Sequence, residues 1–298
     1  MDCSGIVLEV GSKVNHVKPG DPVVVTCLDE GGTGAMAQQI LISSKFVYRI
    51  PQPTSHSPRP TALPLETCSN IGRNYFAAFH SLKTIGEVGP HSLVLISGAS
   101  GGVGMACIEL AKAMGATVIA GVSTAEKAVW PPQVGADATL VYGKTKASFR
   151  QFKQQVLDVA RTLGHPIGVD LVVDMVQGNL FHAALTSVVR PLGTIALVGF
   201  AAGQQPIRPG VLLVKELKII GSLWGRWAME HPEEHAENVQ QIISYLATGA
   251  IRSRVDRVFQ LGDYDKAFRL YETNQGRGNT VVNMRNSDEV PTLYQSRL

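Results

Sequence analysis

The stretch that decides the fold reads Ser92-Leu-Val-Leu-Ile-Ser97-Gly98-Ala99-Ser100-Gly101-Gly102-Val103-Gly104, then Met105 to Met114, Gly115, and Thr117 to Val122. Leu93 to Ile96 is a short apolar run bounded by Pro90 and Gly98, the pattern of a buried strand. Met105 to Met114 has helical periodicity closed by Gly115, and Thr117 to Val122 is a second strand. Strand, glycine turn, helix and strand make a βαβ unit of dinucleotide-binding type. Its turn, Ala99-x-Gly101-x-x-Gly104, is the G-x-G-x-x-G fingerprint with alanine first. Gly101 admits a pyrophosphate to the backbone and Gly104 lets the helix approach the strand. The helix entrance, with Gly102 and Val103, offers unpaired amides to the phosphates. The same letters, Gly98-Ala99-Ser100-Gly101-Gly102, also fit the G-x-S-x-G elbow of a serine hydrolase, with Asp170 or Asp174 and His182 or His235 as partners of Ser100. No HGGG-like oxyanion segment precedes Ser100 and an elbow does not require Gly104, so the dinucleotide reading leads.

The end of the second strand selects the cofactor. An NAD site carries Asp or Glu about 20 residues on, to take the ribose hydroxyls. Here the strand closes on Gly121-Val122-Ser123-Thr124, and Lys127 follows. Small hydroxyls with a nearby cation suit a 2′-phosphate, which favours NADP; Glu126, one position off the expected acid, keeps NAD as the minor option.

Composition narrows the class. With 298 residues, 45% hydrophobic and 17% charged, the chain can bury two domains. A net charge of +3 without a Lys/Arg cluster argues against nucleic acid. Apolar runs are too short for a membrane span, and no basic-then-apolar leader opens the chain. Cys3, Cys27, Cys68 and Cys107 are widely spaced and form no C-x-x-C pair, the pattern of reduced, buried thiols rather than of disulfides or zinc. No Cys/His/Glu trio stands near the start, and His16, His56, His80 and His91 are isolated, so no metal is expected.

The remaining chain splits into a β-rich beginning and an alternating body. Ile6–Val10, Val23–Val25 and Gln39–Val47 read as strands around the Pro19-Gly20-Asp21 turn and the Gly31–Gly34 loop; the prolines between 51 and 64 mark a crossing. After a helix over 77–85, strands at Ala138–Tyr142, Val169–Val173, Thr194–Val198 and Leu217–Ile220 alternate with helices at Phe149–Leu163 and Leu180–Val189. Phe149, Phe152, Val156 and Val159 or Ala160 form the apolar stripe of the longer one. Trp130-Pro131-Pro132 breaks the helix due after the second strand, which must be short or begin again after Pro132. His231–Ala247, Val255–Phe259, Tyr264–Tyr271 and Thr280–Met284 read as helix, strand, helix and strand; the polar tail from Asn286 frays.

With these residues in view the sequence resembles the zinc-free quinone oxidoreductase branch of the medium-chain dehydrogenase/reductase superfamily. Gly11-x-x-Val14, Lys18-Pro19-Gly20-Asp21, the Ala99–Gly104 turn, Lys112-x-x-Gly115-Ala116 and Gly135-Ala136-Asp137 carry the general likeness. Asp174-Met175-Val176-x-Gly178, Val198-Gly199-Phe200 and Trp224-Gly225-Arg226 are more specific to the branch. The resemblance implies an α/β fold: a doubly wound parallel (Rossmann) sheet over 73–249 that binds NADPH, and a GroES-like, mainly β catalytic domain over 1–72 completed by 250–298. It implies a cytoplasmic or mitochondrial homodimer reducing a small-molecule quinone or α,β-unsaturated carbonyl. By position, Ala99 and Gly101–Gly104 would hold the pyrophosphate, and Ser123, Lys127 and Tyr142 the 2′-phosphate. Gly199, Phe200 and Ala201 would lie along the nicotinamide; no proton donor is identified. Against the family the chain starts late, since Met1 falls inside a block that relatives reach further along. Asn74 stands in place of a usual threonine and Asn279 where the last strand usually begins Gly-Lys. These departures keep open a protein that binds the cofactor without turnover.

Overall fold

The computed structural model describes residues 2–26, 34–51, 63–273 and 279–284. The Gly31–Thr33 part of the expected loop, most of the proline-rich crossing, Cys27, His56 and the tail from Asn286 lie outside the described residues. The chain divides into two compact units, Met1–Asn74 with Ala236–Leu298, and Tyr75–His235.

The first unit opens with β1 (Cys3–Ile6), β2 (Pro22–Val25) and β3 (Val47–Arg49), an antiparallel sheet in that order with Val24 opposite Ser4 and Tyr48. Val17, Val23 and Val25 form its small core with Cys3, Val7, Val14, Ile40, Ile42 and Val47 around them. The first strand lies at Cys3–Ile6 rather than the expected Ile6–Val10, the two sharing only Ile6, because pairing stops where the partner turns: Val7 N donates to Asp21 O and Gly20 N to Val7 O, and Leu8 beyond is exposed. The expected Gln39–Val47 strand is replaced by a single 3-10 turn, Ser44–Phe46, and only the residues after it join the sheet. A short helix, α1 (Leu65–Ser69), leads to the unit boundary.

The second unit runs α2 (Phe76–Phe79), extended by wider turns over His80–Ile85, then β4 (Leu93–Ser97), α3 (Gly102–Ala113), β5 (Thr117–Val122), β6 (Ala138–Val141) and α4 (Lys146–Thr162). It continues with β7 (Val169–Asp174), α5 (Gly178–Leu180), α6 (Thr186–Val188), β8 (Val189–Leu197), α7 (Pro209–Lys215), β9 (Lys218–Gly221) and α8 (Trp224–Glu230). The six strands are all parallel, in the order β6-β5-β4-β7-β8-β9. The chain winds outward from β4 to β6, then crosses back to β7 and winds the other way. The strand order therefore reverses between β4 and β7, and the crevice at their C-terminal ends is the switch point where such sheets bind ligands.

Apolar burial fixes this sheet. All five residues of β4 are buried. Leu93 and Leu95 share a core with Ile119, Val172 and the α4 stripe Phe149, Phe152, Val156 and Ala160. Alternation turns Val94 and Ile96 to the opposite face, where α3 packs on β4 and β5. Helix α4 begins in a reciprocal cap: Ser148 N donates to Thr145 Oγ1 and Thr145 N to Ser148 Oγ. The break at Trp130 is two one-turn 3-10 helices, Ala125–Val129 and Pro131–Val134. The restart comes at Pro131 itself, because a first helical position needs no amide. Helices α7 and α8 went unpredicted, and β8 starts five residues earlier than expected, reaching past Leu192 at φ 62 where its ladder with β7 is irregular.

Chain return to the first unit is through α9 (Pro232–Thr248), followed by β10 (Val255–Gln260), α10 (Tyr264–Glu272) and β11 (Asn279–Asn283), with β10 and β11 parallel. Asn74 and Asn279, the two departures from the family pattern, meet: Asn74 Nδ2 donates to Asn279 Oδ1 at 2.7 Å and to Asn70 Oδ1 at 3.3 Å.

Candidate active site

The crevice is built by three loops. The first is the turn after β4. Gly98 takes φ +70, the left-handed value the chain needs to reverse, which is why Ala99 beside it is tolerated where the fingerprint begins. Ala99 is buried and its amide donates to Gly121 O at 3.0 Å. Gly101 is the N-cap of α3 and no side chain caps that end, so the amides of the first turn have no intrahelical acceptor. The helix thus begins at Gly102, three residues earlier than periodicity placed it.

Gly101 and Gly104 are glycines for different reasons. A Cβ on Gly104 would sit 2.5 Å from Gly98 O and 2.7 Å from Ala99 Cα, so the protein's own packing demands glycine. A Cβ on Gly101 would meet nothing nearer than Gly98 O at 3.5 Å, and its φ of −82° suits any residue. Neither packing nor conformation requires glycine there. The open side is room for something that approaches the backbone.

The second loop, Met175–Gln177, follows β7 and is organised by Asp174. This carboxylate is fully buried; its Oδ1 accepts from Ser97 Oγ (2.5 Å), Val176 N (2.9 Å) and Gln177 N (3.1 Å). Burial pushes its pKa above the usual carboxylate range, and those three donors hold it back. The third loop, Val198–Gly203, follows β8. Val198 N and Gly199 N donate to Asp174 O, Ala201 N to Met175 O and Ala202 N to Val176 O. A Cβ on Gly199 would stand 3.1 Å from Met175 O. Phe200 is 59% exposed, so it is no core residue but an apolar ring presented on the rim.

Just past the end of β5, Ser123 lies near enough to Tyr142 for its hydroxyl to favour the ionised phenol against burial. Tyr142 is buried, with its ring edge-on to Phe152 at 5.8 Å; burial raises the phenol to about 12, so it stays neutral. Lys127 lies half-buried in the one-turn helix that follows Thr124. Glu126 is fully exposed, and hydrogen bonds from the Thr124 hydroxyl and its own backbone lower its pKa.

The alternative triad is not assembled. Asp170 sits at the N-terminal end of β7, accepting from Leu93 N (2.7 Å) and Arg190 Nε (2.5 Å), the opposite end of the sheet from Ser100. Asp174 is engaged as above, His182 Nε2 bonds Pro206 O, and His235 is packed among Phe76 and Trp224. Cys68 and Cys107 are free and buried; burial lifts Cys68 to about 12 and Cys107 further, which removes them as nucleophiles. Among the described residues no cluster of His, Cys, Asp or Glu could hold a metal ion, and no helix is long and apolar enough to cross a membrane. Sequence reasoning did not assign Asp174 its organising role. Its signal was an acid closing the apolar run Leu171–Val173, beside a serine closing Leu93–Ile96.

A doubly wound sheet with an uncapped glycine turn at its switch point defines a dinucleotide-binding enzyme fold. Comparison with known proteins is more specific. An alcohol dehydrogenase GroES-like domain model matches residues 1–52, and a zinc-binding dehydrogenase model matches residues 102–244. Quinone oxidoreductase-like protein 2 of Bos taurus is 30% identical over 287 residues, 96% of this chain and 76% of that protein. A mycobacterial protein solved in complex with NADPH superposes with a TM-score of 0.78 at 25% identity, over 94% of this chain and 80% of that one. Escherichia coli quinone oxidoreductase complexed with NADPH shares the fold, at TM-score 0.75 and 24% identity over 94% and 80% of the two chains. The chain belongs to the zinc-free quinone oxidoreductase branch of the medium-chain dehydrogenase/reductase superfamily and is an oxidoreductase.

Proposed function

We propose that this oxidoreductase uses NADPH to reduce a quinone or an α,β-unsaturated carbonyl. The observation that carries the reading is the uncapped start of α3 with Gly101 open above it, at the switch point of the sheet. The residues present fit a dinucleotide: free amides at Gly102–Gly104 suit a pyrophosphate, and the Ser123–Tyr142 pair with Lys127 suits a 2′-phosphate. NADPH, when bound, supplies a hydride from its nicotinamide ring. The chain's part is to bind, orient and keep dry. Gly199 and Ala201 would line the nicotinamide, and the exposed Phe200 ring would shield its reacting edge from water. Reduction of a quinone would combine that hydride with a proton from solvent to reach the hydroquinone, and reduction of an enone at its β-carbon would reach the saturated carbonyl. The relatives' names support a quinone acceptor, and the lack of polar side chains on Gly199–Ala201 suits a flat, electron-poor one.

Titration with NADPH followed by its fluorescence tests the cofactor, with saturable binding tighter than that of NADH as the expected result. No saturation, or preference for NADH, would overturn it. Turnover is read as NADPH consumption across a panel of quinones and enones.

A further inference from the structure

Asp174 stands at the junction of all three crevice loops. Its carboxylate Oδ1 takes the Ser97 hydroxyl from the end of β4 and the amides of Val176 and Gln177 from its own loop, while its carbonyl takes Val198 N and Gly199 N from the third. Ser97 Oγ closes the circuit by accepting from Met175 N at 3.2 Å. The loop so held is not relaxed. Gln177 has φ 52 and ψ −126, a conformation that favours glycine and that a side-chain-bearing residue keeps only under constraint. The held loop in turn carries its neighbours. A Cβ on Gly98 would lie 3.3 Å from Val176 Cγ2, and the carbonyls of Met175 and Val176 accept the amides of Ala201 and Ala202.

Placing a carboxylate here is costly. Asp174 is fully buried, and its second oxygen, Oδ2, has no hydrogen-bond partner among the described residues. A buried polar group left half-satisfied in a native interior asks for an explanation, and functional sites are where such groups are kept. An apolar side chain would avoid the desolvation but could not accept three donors at one point.

We infer that Asp174 is a positioning residue that locks the Met175–Gln177 turn and through it fastens the glycine turn after β4 to the Gly199–Ala201 rim, so that the pyrophosphate and nicotinamide ends of the cofactor are held in register. The assignment rests on the cofactor reading above for its purpose, but the lock itself is a property of the chain alone.

The test uses the full chain and three variants, Asp174→Ala, Asp174→Asn and Ser97→Ala. Amide hydrogen exchange reads the lock without cofactor. In Asp174→Ala the amides of 175–178 and 199–203 lose protection while those of α4 keep it; Asp174→Asn, which retains an acceptor in place of Oδ1, restores it, and Ser97→Ala falls between. NADPH affinity then weakens about tenfold in Asp174→Ala and stays within about twofold in Asp174→Asn, and kcat with a small quinone falls more than KM rises, as misplacement of bound reactants requires. Unchanged protection in Asp174→Ala overturns the lock. Loosened loops with wild-type affinity and kcat overturn its link to the cofactor. Wild-type protein that ignores NADPH while the variants still loosen would sink the cofactor reading and leave the lock standing.

Discussion

Acid should destabilise the second unit through two buried histidines. His80 and His235 are 3% and 4% exposed. The His80 ring lies 4.7 Å from Trp227; His235 packs against Phe76 at 5.2 Å, Trp224 at 5.5 Å and Trp227 at 6.3 Å. On the other side of Trp227 stands His231, stacked at 5.5 Å and 3.3 Å from Glu234 Oε1. Burial, then the nearby His231, lowers His80 to about 4; burial, then His80, lowers His235 to about 4. The unfolded chain titrates at the ordinary 6.5. Between those values the unfolded state binds more protons than the native state, so stability rises with pH. Nothing is lost above about 6.5, and the cost grows as pH falls to about 4. At pH 5 the shift amounts to about 2 kcal/mol for each ring, an upper bound because water can relax around a charged one. For a unit of this size two such terms lower Tm by roughly 10 °C between pH 7.5 and 5. Thermal unfolding followed by circular dichroism measures this for wild type, His80→Leu and the His80→Leu/His235→Leu double variant. The acid-induced drop should shrink by about half in the single variant and nearly vanish in the double one. Equal drops in all three would refute the argument.

Gly104→Ala, forced 2.5 Å from a backbone oxygen, should cost about 1–3 kcal/mol in urea unfolding and lose NADPH as well. Gly101→Ala should unfold at the wild-type Tm yet bind NADPH at least about tenfold more weakly, since only the ligand meets the new methyl. Lys127→Ala should weaken NADPH about five- to tenfold and leave NADH unchanged, with the gap closing as salt is raised. Phe152→Ala removes a fully buried ring facing Leu93 and Leu95 and should destabilise by about 3–5 kcal/mol, read from the urea midpoint at constant m.

The parallel sheet was legible because its strands are buried on both faces. Leu93–Ile96, Thr117–Val122 and Val169–Val173 are near-continuous apolar runs, and no helix of that length would lack a polar face. The α4 stripe was legible for the complementary reason, and the structure settles its end on Ala160 while Val159 is only partly buried. Boundaries were less so. Gly102–Gly104 carries no apolar signal, so periodicity could not start α3 where its cap does. In the first unit the apolar run Ile6–Val10 marked the wrong residues: the strand is Cys3–Ile6, because it ends when its partner turns, and that turn lies at Gly20 in another part of the sequence.

Long-range polar pairing is what local pattern cannot express. Asn74 and Asn279 read singly as two departures from a family pattern, yet they form one hydrogen bond across 205 positions of chain. Replacing Asn74 would take the donor from Asn279 Oδ1, whereas replacing Asn279 would leave Asn74 Nδ2 its bond to Asn70 Oδ1. Ser97 and Asp174 pose the same problem 77 positions apart, with a difference that makes them partly readable. Each closes an apolar run, Leu93–Ile96 or Leu171–Val173, and the strand order sets β4 beside β7 with Ser97 level with Asp174. Where water is excluded from two adjacent strand ends, a hydroxyl and a carboxylate left there must satisfy one another or carry the full desolvation cost, about 1–3 kcal/mol or more for a charged group. The contact follows once the structure sets β4 beside β7, and with it the loop that the contact holds.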